Sequence, residues 1–177
     1  MVDHVAPREL IHTPKGEWVI DFGQEMTGWV EFNCDLPEGA RAFLQFGELL
    51  QNDCFYNENL RSARAEYTFI SAGKKAHVRP HFTFYGFRFM KVEGIENIQL
   101  SDFDGCVIHS DIPVIGEFTT SNAKVNRLIQ NAFWGQIGNF LDTPTDCPQR
   151  DERMGWTGDA HVFAPTASFN MYTPAFY

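Results

Sequence analysis

The apolar period of this chain changes once, and that change limits what it can fold into. From about Glu17 to about Ile108, apolar residues tend to recur at every second position; after Ser110 they recur every three or four. A period of two belongs to a strand with one buried face, and a period of 3.6 to a helix with one buried stripe. The chain therefore reads as a β part followed by an α part. The junction near Asp111-Ile-Pro113 sets the expected domains at 1–112 and 113–177.

Within the β part, Glu17–Phe22 reads as a strand ended by Gly23. Trp29–Cys34 puts Val30, Phe32 and Cys34 on one face, and Ala40–Phe46 does the same with Ala42, Leu44 and Phe46. Leu36-Pro-Glu-Gly39 suits a hairpin turn. Glu66–Ile70 is a further strand, closed by Ser71–Lys75. Phe82–Val92 carries aromatics on both faces, as a strand between two layers would, so Phe84, Phe87 and Phe89 are expected to be buried. Trp18 and Trp29 are read as core. Short strands punctuated by turns predict a mainly β fold, an antiparallel jelly-roll-like β-sandwich.

In the α part, Val125, Leu128, Ile129, Ala132, Phe133 and Ile137 share one helical face. Ser121 is the expected N-cap, and Asp142-Thr-Pro144 should stop the helix near Phe140. A second helix is expected over Asp159–Met171, kinked or irregular at Pro165. Two helices sharing one apolar stripe do not close a core. The segment therefore reads as the start of a larger helical domain, whose open face needs cover, self-association being one source of it.

Composition excludes several classes of partner. The 177 residues are 44% apolar and include 17 phenylalanines, enough for an aromatic core. The net charge of -9 opposes binding to nucleic acid or to an anionic membrane surface. No apolar run approaches the ~18 residues that span a bilayer. The N-terminal residues Met1–Arg8 lack an apolar signal core, and the compartment stays open between cytoplasm, periplasm and exterior. The cysteines at 34, 54, 106 and 147 match no zinc spacing and read as free thiols. His77 and His81 lie in strand-like sequence with Pro80 between them, which disfavours a metal site.

The chemistry concentrates between Asp142 and Asp159, where eighteen residues hold five carboxylates, two arginines and a tryptophan. Pro144, Pro148, Gly155 and Gly158 oppose regular helix there. Asp146, Glu152 and Asp159 could converge on one ligand from such a loop. Two neighbouring carboxyls suit glycoside hydrolysis, in which one protonates the leaving oxygen and another activates water or attacks. Arg150 could clamp a carboxylate or a sugar hydroxyl, and Trp156 could stack on a sugar ring. The plain alternative is a solvated acidic loop with a buried tryptophan. Glu58–Arg64 reads as a solvated connection, and His161 as a residue near a helix start.

Asp146-Cys-Pro-Gln-Arg-Asp-Glu-Arg-Met-Gly-Trp-Thr-Gly-Asp-Ala160 resembles the catalytic signature of bacterial α-L-rhamnosidases of glycoside hydrolase family seventy-eight. The resemblance continues through Trp134–Asp142, Val162–Ala167, Asp21–Trp29, Glu58–Ala63 and Phe84–Arg88. It implies a β-sandwich followed by the first helices of an (α/α)6 barrel, inverting hydrolysis of terminal α-L-rhamnose from glycosides or polysaccharides, and no cofactor. By motif position it makes Glu152 the general acid and Asp146, Arg150, Trp156 and Asp159 the sugar-binding or acid-supporting residues. His161 stands where the family pattern would have glutamine. The family's general base is a glutamate further along the barrel, outside these 177 residues. The chain is thus expected to be an internal piece of such an enzyme, inactive in isolation. A non-catalytic carbohydrate-binding β-sandwich module is the competing reading, and a ligand-free structural domain a third.

Overall fold

The computed structural model describes residues 2–177, so Met1 of the expected β domain lies outside them. The described residues form two compact units. One holds Val2–Val107 with Gln149–Asp151, and the other holds Ile108–Pro148 with Glu152–Tyr177.

The first unit is an antiparallel sheet built on one long strand. Its elements are β1 Val2–Val5, β2 Glu9–His12, β3 Trp18–Cys34, β4 Arg41–Gly47, β5 Leu49–Gln51, β6 Cys54–Tyr56, β7 Glu66–Ile70, β8 Ala76–Val78, β9 Tyr85–Glu93 and β10 Phe103–Ile108. The order is β1-β10-β3-β9-β4-β7, with β2 and β8 also paired to β3. Gly23 does not end a strand. The two strands expected over Glu17–Phe22 and Trp29–Cys34 are one, because Gly23 takes φ +72° inside an irregularity of β3. There, Phe22–Glu25 stand opposite the single residue Arg88, and pairing resumes at Met26 with Phe87. A residue without Cβ reaches that left-handed conformation without strain.

Ion pairing fixes the irregularity. Asp21 is buried, and its two carboxylate oxygens accept from Arg88 Nε at 2.8 Å and Nη2 at 2.7 Å, while Oδ1 also accepts from the Gly23 amide at 2.6 Å. Burial by itself would raise this carboxyl; the Arg88 and Gly23 hydrogen bonds, with the charges of Arg88 and Arg8, outweigh it and hold the group below the usual carboxylate range.

Alternation in β4 is as expected: Ala42, Leu44 and Phe46 are fully buried. In β9, Tyr85, Phe87, Phe89, Met90 and Val92 are buried, so both faces of the strand are covered. The Phe46 ring stacks on Tyr85 at 4.2 Å and tilts against Phe87 at 4.8 Å. Phe55 of the β5–β6 hairpin packs with Val19 and Phe89. Phe84 is half-buried, just before β9 begins. Trp18, expected in the core, is instead 41% exposed. It opens β3 at the margin of the sheet, where its ring rests on His12 at 4.4 Å. The four cysteines are free thiols.

The second unit carries α1 Ala123–Asn139, the short pair β11 Phe140–Leu141 and β12 Thr143–Pro144, and α2 Thr157–Asn170. Asn122 rather than Ser121 caps α1. Residue 122 is the extended one, and its Oδ1 accepts from the amides of Lys124 at 2.9 Å and Val125 at 3.4 Å. Helix α2 continues through Pro165. Ile112, Ile137, Phe140, Ala167 and Met171 form a small core. Only the C-terminal end of the expected α1 stripe reaches it: Ile137 is buried, whereas Val125 and Leu128 face outward. Buried Gln136 ties the two helices, donating to Ala167 O at 3.2 Å and accepting from Asn170 Nδ2 at 2.8 Å.

Phe87→Ala should cost about 3–5 kcal/mol in urea unfolding, the scale for removing a buried ring. Phe82→Ala should be nearly neutral, because Phe82 is fully exposed. Asp21→Asn should cost about 1.5–3 kcal/mol at neutral pH, the scale for charged hydrogen bonds. Since folding lowers the Asp21 pKa, its contribution is full above the unfolded value near ~3.9 and is lost as pH falls through the folded value. The difference between wild type and variant should therefore close in acid; a difference independent of pH would contradict the ion-pair account.

Candidate functional site

Between α1 and α2 the chain makes an excursion whose base is closed in three ways. Asp142 adopts φ +61° at the tip between β11 and β12, and its amide donates to Ser110 Oγ at 3.0 Å. Thr145 donates to Asn139 O from its amide at 2.8 Å and from its hydroxyl at 3.0 Å. Thr145 and Gly155 then pair in an isolated antiparallel bridge. The nine residues between them are thereby tied at both ends, as a site loop on a rigid scaffold must be.

Of the sequence-derived candidates in this unit, Asp146 and Glu152 come together. Their carboxylates and the Cys147 thiol have atoms within 4.8 Å of one another, and all three residues are half-buried. The thiol donates to Asp146 Oδ2 at 3.1 Å. Two carboxylates and a thiol are also the donor types that a divalent cation would meet here.

Asp159 sits in the first turn of α2, where the helix dipole favours negative charge. Gly158, expected to oppose helix, lies in the same turn. Asp159 and Asp146 line one cavity of about 300 Å³, together with Gln136, Asn139, Phe163 and Tyr177. Trp156 is the N-cap residue of α2 and is half-exposed. His161 is exposed on α2, one turn past the helix start.

Arg150 falls in the sheet unit. In that unit Glu48 is raised from the usual carboxylate range by burial, against the pull of the Asn59 hydrogen bond and the Arg150 charge. Asn59 Nδ2 donates to Glu48 Oε2 at 2.6 Å. In the same unit, Ser62 Oγ donates to Asp151 Oδ2 at 2.7 Å, and Arg61 lies 3.6 Å from Asp151 Oδ1. The segment read as a solvated connection is thus partly structural. It forms a 3-10 turn over Glu58–Leu60 with Leu60 buried, and it holds part of the loop. Glu48, Asn59, Ser62 and Gly86 were not singled out as site residues by sequence. The signal for Asn59 and Ser62 lay in the Glu58–Ala63 stretch, and that for Gly86 in Phe84–Arg88, both parts of the family resemblance.

Comparison with known proteins accounts for both units. Residues 11–109 match the bacterial alpha-L-rhamnosidase concanavalin-like domain, and residues 113–177 match the bacterial alpha-L-rhamnosidase 6 hairpin glycosidase domain. The chain belongs to the bacterial α-L-rhamnosidase family. An alpha-L-rhamnosidase of Streptomyces avermitilis is 42% identical over 175 residues, which is 96% of this chain and 17% of that protein. One from Alteromonas sp. strain LOR is 40% identical over 166 residues, 92% of this chain and 18% of that protein. The solved structure of the Streptomyces avermitilis enzyme complexed with L-rhamnose superposes with a TM-score of 0.94 at 39% identity, over 99% of this chain and 18% of that one. Native rhamnosidase from Aspergillus terreus gives a TM-score of 0.95 at 35% identity, over 99% of this chain and 21% of that one. The chain thus spans about a fifth of the length of the relatives it matches. The mainly antiparallel β fold followed by helices is the one expected from sequence, and it is shared by these rhamnosidases.

Proposed function

We propose that these residues form the acid side of an α-L-rhamnosidase active site, within a protein that releases terminal α-L-rhamnose with inversion. Glu152 is the general acid that protonates the glycosidic oxygen as the bond breaks. Asp146 and Asp159 hold sugar hydroxyls, Arg150 adds bidentate donors, and Trp156 packs on the ring. The domain boundary in this reading lies at 112/113. The observation that carries it is the convergence of the Asp146 and Glu152 carboxylates, within 4.8 Å, on a loop closed by Thr145 and Gly155. A solvated acidic loop would have like charges spread apart rather than gathered in half-buried positions.

Inversion needs a base about 6.5–9.5 Å from the acid, on the far side of the sugar and a water. The base in this reading is contributed by residues other than these 177. No metal or cofactor takes part, because proton transfer and positioning supply the chemistry.

The test is Glu152→Gln in the full-length protein. It should lower kcat by at least ~10²-fold on an alkyl rhamnoside, the scale of general acid catalysis. The loss should be much smaller on an aryl rhamnoside whose leaving group needs little protonation. Near-wild-type turnover of the alkyl substrate by the variant would overturn the assignment. The 177 residues alone should not hydrolyse an aryl α-L-rhamnoside; turnover abolished by Glu152→Gln would place the base among them.

A further inference from the structure

Three residues of the segment that carries Glu152 belong to the sheet unit. Pro148 and Glu152 belong to the helical unit, but the three residues joining them, Gln149–Asp151, belong to the sheet unit. Gly86 is buried in β9, paired with Thr27 of β3, and Gln149 occupies the room that its missing side chain leaves. A Cβ at 86 would lie 2.5 Å from Gln149 Cβ, 2.9 Å from its Cα and 3.0 Å from its backbone nitrogen. Backbone atoms cannot swing aside as a side-chain tip can, so any larger residue at 86 must lift the loop. Two residues on, the Ser62 hydroxyl holds Asp151 Oδ2 at 2.7 Å, with Arg61 beside it. Asp151 immediately precedes Glu152.

We propose that Gly86 and Ser62 are positioning residues for Glu152, Gly86 setting the height of the loop and Ser62 fixing its position at Asp151. The inference rests on the general-acid reading above and extends it to the sheet, which acts on the reaction without touching substrate. Proton transfer needs the donor within hydrogen-bond reach of the leaving oxygen, and a displacement of ~1 Å can lower the rate by about 10²-fold. A loop held at Gln149 and Asp151 leaves Glu152 little freedom to drift that far.

The experiment compares Gly86→Ala, Ser62→Ala and Ser62→Thr in the full-length protein, with Glu152→Gln as reference. Each is assayed on an alkyl rhamnoside and on a dinitrophenyl rhamnoside. Gly86→Ala should lower kcat on the alkyl substrate by at least ~10-fold and on the activated one by less than ~3-fold, with KM little changed, because only the proton donor has moved. Ser62→Ala should show the same imbalance, smaller, and Ser62→Thr should restore it by returning the hydroxyl. Equal losses on both substrates, or wild-type kcat in both the Gly86 and the Ser62→Ala variants, would overturn the proposal. If Gly86→Ala does not fold, the Ser62 pair decides alone. If Glu152→Gln itself shows no dependence on leaving group, the general-acid reading falls and this inference with it. If Glu152→Gln shows that dependence and the Gly86 and Ser62 variants do not, only the positioning role falls.

Discussion

The pairing of Asp21 with Arg88 is the interaction on which the sheet depends. It stands where Phe22–Glu25 of β3 pass the single residue Arg88 of β9. Four residues opposite one leave backbone groups out of the ladder, and a buried unpaired group is expensive. The Asp21 carboxylate takes up the Gly23 amide and both guanidinium donors at once, so the mismatch is satisfied by charge rather than by a turn. Strand β3 can then continue for 17 residues and serve β2, β8, β9 and β10 in turn. Without that continuity β9 would lose its register with β3 on the far side of the irregularity, and Gly86 would not face Gln149.

How much of this was legible in the sequence depended on the range of the forces involved. Strands β4 and β7 were readable because alternation is set by neighbours two residues away. The end of α1 was readable because Asp142 and Pro144 act locally. Gly23 misled because a positive φ serves a bulge as well as a turn, and the choice was made by Arg88, sixty-five residues further on. Trp18 misled because bulk is not burial: at the first residue of β3 its ring meets His12 and otherwise stays exposed. The apolar stripe of α1 was periodic as expected, yet only Ile137 met a fully buried core, because the stripe is longer than the surface that Phe140, Ala167 and Met171 offer. In the acidic segment, Asp146 and Glu152 could be placed by spacing and family likeness. The transfer of Gln149–Asp151 to the sheet could not, since it comes from a missing side chain at Gly86 and a hydroxyl at Ser62.

The irregularity also sets two carboxylates against each other. Asp21 is held below its ordinary range, so its contribution to stability is present at neutral pH and lost in acid. Glu25, four residues on, is driven the opposite way: crowding by the surrounding protein and the like charge of Glu48 push it up to about 9, against the pull of Arg88. A carboxyl raised on folding favours the folded state most below its unfolded pKa near ~4.3, and the advantage drains away as pH rises toward the folded value. At neutral pH, then, Asp21 stabilises the sheet while Glu25 opposes it. Glu25 keeps an exposed face, so water screens part of that opposition. Arg88 acts on both, but it is committed to Asp21 by two hydrogen bonds, whereas its effect on Glu25 is through charge. Glu48, the like charge acting on Glu25, is the same group that feels the Arg150 charge and accepts from Asn59. Removing Glu48 would relieve Glu25 of a like charge and take away one of the charges that Arg150 acts on. The carboxylate that raises Glu25 is therefore the same one that the charge of the loop's arginine pulls down, so the sheet's acidic crowding and the loop meet at Glu48.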